Sequence, residues 1–182
     1  MNAPPALLAR SYEEIYGFAQ SARSKADGRI ILVPVDFSDH SAVALDFAAT
    51  LAESLRAALI VLHVIHDPGE MPGYYSKLIE HKHLERIDDV AEQAFRDFMS
   101  RVIESHPDCL PLQEAVIFMV VGLPVTRILE VAGELDPVMV VMGSHGRTGL
   151  DNLIIGSKAA QIVQLCPFPV TIVKNREKLA DE

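Results

Sequence analysis

The stretch RIILVPVDFSDHSAVALDFAATLAESLRAALIVLHVI, residues 29–65, contains two apolar runs separated by a segment with helical periodicity. Each run, RIILVPVD (29–36) and ALIVLHVI (58–65), is rich in β-branched residues, as is typical of a strand buried on both faces of a sheet. Between them, Ser38 or Asp39 can begin a helix. Its apolar stripe is Ser41, Leu45, Ala48, Ala52 and Leu55. Two buried strands joined by one helix predict a parallel pair with a right-handed crossover.

The rest of the chain continues this alternation of strand and helix. Three further apolar runs predict strands: EAVIFMVV (114–121), PVMVVM (137–142) and PVTIVK (169–174). Helical stripes separate the runs, and the last stripe consists of Ala159, Ile162, Val163 and Cys166. The pattern predicts an α/β fold, a single domain with a five-stranded parallel sheet and helices on both of its faces.

The segment before Arg29 has a different pattern. Its apolar residues recur at helical spacing: Leu8, Tyr12, Ile15, Tyr16 and Ala19. We interpret residues 1–28 as an N-terminal extension with a short helix, either packed on the domain or frayed. The domain itself is expected over residues 29–176, and residues 177–182 are expected to form a C-terminal tail.

Composition limits the partners that we expect. The net charge of −9 argues against general binding to DNA or RNA, because phosphate backbones are met by clustered Lys and Arg. No apolar stretch reaches the length that spans a bilayer. Cys109 and Cys166 form no CxxC pair, which is typical of a reducing compartment. We therefore expect a cytoplasmic protein without nucleic-acid or membrane partners.

The fourth predicted strand is followed by a loop suited to an anion, MGSHGRTGLDNLIIGSKAA (142–160). Gly143 and Gly146 remove side chains where backbone N–H groups must approach anionic oxygens closely. Gly156 and Ser157 come just before the next helix, whose N-terminal N–H groups and dipole favour an anion, and the Ser157 hydroxyl can add a hydrogen bond. Two basic residues in or beside the loop can supply local positive charge: Arg147 and Lys158. The loop therefore reads as a phosphate cradle in two halves.

Four motifs in this order carry a resemblance to a known family. They are VPVDFS (33–38), LHVI (62–65), VGLP (121–124) and MGSHGRTGLDNLIIGS (142–157), the last with the spacing G-x2-G-x9-G-S. From Arg29 to Lys174 the chain resembles the nucleotide-binding branch of the universal stress protein family. The resemblance implies a flavodoxin-like (Rossmann-like) sheet of order 3-2-1-4-5, formation of a homodimer, and ATP binding as in some members.

The resemblance also implies a site. In a sheet of this order, ligands bind where the strand order reverses, at the C-terminal ends of strands 1 and 4, which carry Asp36 and Gly143. By resemblance, Pro34, Val35 and Asp36 lie against adenine or ribose, Val64 packs on the adenine, and Met142 and Gly143 border ribose and phosphate. Asp36 also becomes a candidate ligand for Mg²⁺, an ion that is often held mostly by nucleotide phosphates and water.

The leading hypothesis is a stress-response or regulatory protein that binds ATP or a related adenine nucleotide. It forms a homodimer through the edge of the fifth strand (169–174) and is not primarily an enzyme. One alternative is slow ATP hydrolysis or phosphotransfer aided by Asp36, Arg147 and a metal, although the chain has no GxxxxGK[ST] P-loop and no convincing general base. Another is a nucleotide-free dimeric interaction module, in which the glycines form only a turn and Ser157 caps a helix. A flavin carrier is a further option, because flavodoxin-like sheets bind FMN at the same place.

Two histidines lie near these motifs. His63 is in the second buried run, and we interpret it as a core histidine with satisfied hydrogen bonds rather than as a catalyst. His145 lies in the glycine loop, but the sequence assigns it neither a nucleophile nor an orienting carboxylate.

Overall fold

The computed structural model describes residues 8–9, 11–25, 27–65, 87–146 and 155–175. The strands in these residues are β1 (Leu8–Ala9), β2 (Ile30–Pro34), β3 (Ala58–Ile65), β4 (Val116–Val121), β5 (Met139–Gly143) and β6 (Val170–Val173). The helices are α1 (Tyr12–Lys25), α2 (Asp39–Leu55), α3 (Ile87–Ser105), α4 (Leu110–Gln113), α5 (Pro124–Leu135) and α6 (Ser157–Leu165). The C-terminal tail predicted at 177–182 lies outside the described residues, as does Arg147.

All strands pair in parallel, in the order β1-β4-β3-β2-β5-β6. Strands β2 to β6 are the five predicted from the sequence, and their order, 3-2-1-4-5, is confirmed. The structure has one strand more than the sequence predicts, and this additional strand is β1. It pairs Leu8 with Ile117 and Ala9 with Phe118 at the β4 edge. The prediction that Leu8 belongs to the N-terminal helix is wrong, because the helix begins only at Tyr12.

Helices cover both faces of the sheet, so there are two hydrophobic cores. On one face, α2, α3 and α4 pack on residues such as Val33 and Val61, and we call this the α2/α3 core. On the other face, α1, α5 and α6 pack on residues such as Leu32 and Val140, and we call this the α1/α5/α6 core. Neighbouring residues of one strand enter opposite cores because side chains alternate along a strand.

The N-terminal helix packs on the second face. Ile15 and Ala19 are almost fully buried in the α1/α5/α6 core. The Tyr12 hydroxyl donates a hydrogen bond of 3.1 Å to Glu130 of α5, and Arg23 donates to the carbonyl oxygen of Leu135. Helix α1 is thus held against α5 by apolar burial and by polar contacts at both of its ends.

The helix boundaries follow from local chemistry. Ser38 caps α2, because its hydroxyl accepts a hydrogen bond of 3.2 Å from the Ser41 N–H. Helix α6 is shorter than the predicted stripe. It ends at Leu165, so Cys166 lies just beyond it, and Val163 is 48% exposed because Ala159 and Ile162 occupy the face that meets the core. No helix in the described ranges has the length and apolar character needed to cross a bilayer.

Candidate functional site

The strand order reverses at β2, which lies between β3 and β5. The C-terminal ends of β2 and β5 lead into VPVDFS and the glycine loop, and the structure brings these two segments into contact. A Cβ placed on Gly146 would lie 2.7 Å from Oδ2 of Asp36. Residues far apart in the sequence therefore meet at the position where α/β sheets of this kind bind ligands.

The end of β2 is held by a main-chain hydrogen bond to β3 and by side-chain contacts to the residue that caps α2. The Val35 N–H donates to the carbonyl oxygen of Leu62 at 2.8 Å. At the next residue, Asp36, Oδ1 accepts hydrogen bonds from the Ser38 hydroxyl at 2.6 Å and the Ser38 N–H at 3.2 Å. One carboxylate oxygen is thereby directed to the start of α2, and the other, Oδ2, faces Gly146.

The end of β5 packs tightly against the first turn of α2. A Cβ on Gly143 would lie 2.8 Å from the carbonyl oxygen of His40 and 2.9 Å from its carbonyl carbon, distances that real Cβ atoms do not reach. Glycine is required here for close approach of two backbones. Beyond it, Nδ1 of His145 lies 3.0 Å from the Ser144 hydroxyl, and the rings of His40 and His145 are 5.3 Å apart.

The second half of the predicted cradle begins at α6. Gly156 is the N-cap and has no side chain to cap the helix, and Ser157 is the first helical residue. The alternative in which Ser157 serves as an ordinary N-cap is therefore wrong. The Gly156 N–H donates to the Ser144 carbonyl oxygen at 2.8 Å, so it ties α6 to the end of β5. The N–H groups that lack an acceptor within the helix begin at Ser157.

The apolar residues expected to line the nucleotide, Val64 on the adenine and Met142 beside ribose and phosphate, divide with Val35 between the two faces of the sheet. Val64 and Met142 are buried in the α1/α5/α6 core, with Val125 and Ile155 packed against it. Val35 is buried in the α2/α3 core instead. Val64 and Met142 therefore belong to one apolar core, whereas Val35 can contribute to that side of the sheet only through its main chain.

The remaining predicted residues differ in exposure. Pro34 ends β2 and is buried, Asp36 is partly exposed, and Ser157 and Lys158 are exposed. Among the described residues, no three His, Cys, Asp or Glu side chains are grouped so that they could hold a metal ion by themselves.

The doubly wound parallel sheet of order 3-2-1-4-5 defines a flavodoxin-like α/β protein, and the glycines at and just after the end of β5 meet Asp36 and the start of α2 at its switch point. The family model described as the universal stress protein family matches residues 28–174. The chain therefore belongs to the universal stress protein family.

Individual relatives agree with this assignment. Universal stress protein YxiE of Bacillus subtilis is 30% identical over 149 residues, which cover 79% of this chain and 97% of the relative. Universal stress protein A homolog 1 of Coxiella burnetii is 32% identical over 148 residues, covering 81% and 96%. UspA of Lactobacillus plantarum has the same fold, with a TM-score of 0.62 at 23% identity over 80% of this chain and 97% of its own.

Two similar structures contain a nucleotide. A universal stress protein solved in complex with cAMP is 26% identical, with a TM-score of 0.50 over 80% of this chain and 96% of its own. The protein from Archaeoglobus fulgidus in complex with dAMP is 21% identical, with a TM-score of 0.55 over 80% and 97%. The cAMP and the dAMP are ligands of those two proteins.

Proposed function

We propose that this protein binds ATP or a related adenine nucleotide at the switch point and acts as a regulatory protein of the stress response in the cytoplasm. The observation that carries the proposal is the contact between Asp36 and Gly146, with Gly143 fitted against His40. A side chain at Gly146 would meet the Asp36 carboxylate, and a side chain at Gly143 would meet the His40 main chain at the start of α2. This convergence of the β2 and β5 ends gives one site an acidic acceptor and backbone donors.

Each part of a nucleotide has a suitable surface. Val64, at the margin of the α1/α5/α6 core, would pack on the adenine ring, and Met142 of the same core would border ribose and phosphate. The Asp36 carboxylate is an acceptor and suits ribose hydroxyl groups. The phosphates fit the backbone of Gly143 and Gly146 and the N-terminus of α6 at Gly156 and Ser157, where helix N–H groups and the helix dipole favour an anion.

The proposed site also needs positive charge to balance the phosphates, from basic side chains and from Mg²⁺. Lys158 is exposed in the first turn of α6, and together with Arg147 it would offset phosphate charge locally in a chain of net charge −9. Asp36 would supply at most one or two oxygen ligands to Mg²⁺. The cation would therefore enter as the nucleotide complex, with phosphate and water as its other ligands.

We further propose that the protein forms a homodimer through the β6 edge at 169–174. All four β6 residues are partly exposed, and β6 ends the described sheet. An edge strand with unpaired main-chain groups needs a cover. Ile172→Lys should shift the sedimentation coefficient from that of a dimer to that of a monomer, and an unchanged coefficient would reject this interface.

The direct test of nucleotide binding has two parts. Small molecules released from freshly purified, acid-denatured protein are identified by mass spectrometry, and the emptied protein is titrated with Mg·ATP by calorimetry. We expect recovered or added adenine nucleotide to bind the wild type and not Gly146→Val, whose side chain would displace the Asp36 carboxylate. Gly17→Ala is the matched control, because Gly17 is exposed on α1 with open space around it.

Other outcomes identify the alternatives. No heat of binding and no increase in stability at saturating Mg·ATP would reject the proposal for ATP. A dimer unaffected by Gly146→Val and free of nucleotide would favour an interaction module, and a yellow preparation would favour a flavin carrier. ADP released in a metal-dependent manner, and lost in Asp36→Ala, would indicate slow hydrolysis.

A further inference from the structure

The backbone on the C-terminal side of Asp36 adopts an unfavourable conformation. Phe37 has a φ of 65°, in the left-handed region. For a residue with a Cβ this conformation costs about 1–2 kcal/mol, and it persists only where surrounding contacts compensate. The contacts that hold Phe37 in this conformation come from His63 and from the phenylalanines of α3.

His63 provides contacts to both neighbours of Asp36. Its Nδ1 lies 2.9 Å from the carbonyl oxygen of Val35. Since a carbonyl oxygen can only accept, Nδ1 carries the hydrogen. The same imidazole stacks on the Phe37 ring, with centroids 4.0 Å apart and planes 24° from parallel. His63 is 1% exposed, so both contacts are shielded from water.

The pairing of β2 with β3 explains how one side chain reaches both positions. Pro34 pairs with Leu62, and the Val35 N–H bonds to the Leu62 carbonyl oxygen, which places His63 beside the end of β2. On its other sides the Phe37 ring meets Phe95 and Phe98 of α3, at centroid distances of 5.5 and 5.6 Å. The turn is thus fixed from β3 and from α3 at once.

We propose that His63 is a positioning residue for Asp36. By holding Val35 on one side and Phe37 on the other, it fixes the main chain of Asp36, so that one carboxylate oxygen bonds Ser38 and the other faces Gly146. This inference rests on the proposed nucleotide site. The inference gives His63, the buried histidine of LHVI, a role in that site. The His63 side chain lies on the α2/α3 face of the sheet, whereas Val64 and Met142 lie on the other face.

Two substitutions separate the two contacts. His63→Phe keeps a ring that can stack on Phe37 but removes the donor to Val35. His63→Asn keeps an N–H near the position of Nδ1 but removes the ring. Val61→Ala is the control, since Val61 lies two residues earlier on the same face of β3, and we expect its truncation to lower stability without changing the turn.

A double-mutant cycle tests whether His63 acts through Asp36. We expect His63→Phe to weaken Mg·ATP binding about tenfold, and Val61→Ala to leave binding unchanged. In an Asp36→Asn background, the further loss caused by His63→Phe should disappear. An equal loss in both backgrounds would overturn the proposal, because it would show that His63 contributes independently of Asp36.

A second measurement needs no nucleotide. In NMR spectra, the Ser38 amide and the ¹³C carboxyl signal of Asp36 report their mutual hydrogen bond. We expect both signals to move, and the Ser38 amide to exchange faster, in His63→Phe and in His63→Asn but not in Val61→Ala. Unchanged signals in both His63 variants would overturn the positioning role. If the wild type binds no nucleotide, the proposed function fails while these spectra still decide the role of His63.

Discussion

The ends of β2 and β4 look alike in the sequence but are built differently. Each is a buried strand followed by a turn and a helix, and each turn contains one residue with positive φ, Phe37 (65°) after β2 and Gly122 (143°) after β4. After β2, the left-handed residue is a phenylalanine fixed by His63, and the adjacent carboxylate faces Gly146. After β4, Arg127 folds over Gly122 and donates to the Val121 carbonyl oxygen at 2.9 Å.

This difference separates a strand end that can receive a ligand from one already occupied by the protein. A Cβ placed on Gly122 would lie 2.6 Å from Nε of Arg127, so the arginine side chain fills the space next to this turn. Arg127 also bonds Glu130 at 2.6 Å, and Glu130 accepts from Tyr12 of the N-terminal helix. The proposed nucleotide site therefore lies at the β2 and β5 ends, and we expect a structural role for the β4 end.

The largest effect is expected at the close approach of β5 to α2. Gly143→Ala would place a Cβ against the His40 main chain, which cannot move aside as a flexible side chain can. We expect unfolding free energy to fall by about 1–3 kcal/mol, and Mg·ATP affinity to fall at least about tenfold, measured by urea denaturation and calorimetry. Gly133→Ala, exposed in α5 with open space around it, should instead be neutral or stabilising. Wild-type affinity in Gly143→Ala would contradict the placement of the site.

At the other strand end we expect a similar loss of stability but no loss of affinity, so the total effect is smaller. Gly122→Ala forces a residue with a Cβ into a φ of 143° and displaces Arg127, so we expect a loss of about 1–3 kcal/mol in stability. Mg·ATP affinity at a temperature where the variant is folded should equal that of the wild type. A marked loss of affinity would show that the two strand ends are not separate in function.

At Phe37, whose backbone is left-handed, we expect a glycine variant to be more stable than an alanine variant, the reverse of the usual order in a helix. We expect Phe37→Gly to be more stable than Phe37→Ala by about 1 kcal/mol, since only alanine retains the strain of a positive φ. At Gln161, exposed in α6, the corresponding glycine variant should be the less stable by about the same amount. Denaturation of the four variants measures both differences, and the same order at both positions would show that Phe37 is not strained.

The smallest effect concerns the contact of α1 with α5. Burial, followed by the hydrogen bond to Glu130, raises the pKa of Tyr12 above its ordinary value of 10.0. A raised pKa means that this contribution to stability is complete below about pH 10 and is lost as the pH rises through the pKa of the folded state. Glu130→Gln should lower the pKa of Tyr12 in an NMR titration, and Glu134→Gln, exposed on the same helix, should not. An unchanged pKa in Glu130→Gln would show that the contact does not form in solution.

Much of the fold could be predicted because five apolar runs are long enough to reveal buried strands. Strand β1 could not, because two residues show no periodicity and Leu8 happens to fall at helical spacing from Tyr12. Val163 was misassigned for a related reason. Helical spacing alone does not show on which side a short helix such as α6 meets the sheet, and in the structure Val163 faces solvent.

The meeting of Asp36 with the glycine loop could be predicted because parallel topology places two strand ends side by side. The role of Gly156 as N-cap and its bond to Ser144 could not, since they depend on the path of the loop. The His63–Phe37 contact could not be predicted either. It requires the register of β2 with β3 and a left-handed phenylalanine, and the sequence alone indicated only a core histidine.

The proposed site for adenine nucleotide is the place where the ends of β2 and β5 converge. Its most direct test is the change in ¹⁵N amide chemical shifts as Mg·ATP is added to the uniformly labelled protein. We expect the largest changes at Asp36, Gly143, Gly146 and Ser157, with small changes at Val121 and Gly122. Changes centred on the β4 end, or no changes at saturating Mg·ATP, would contradict this proposed site.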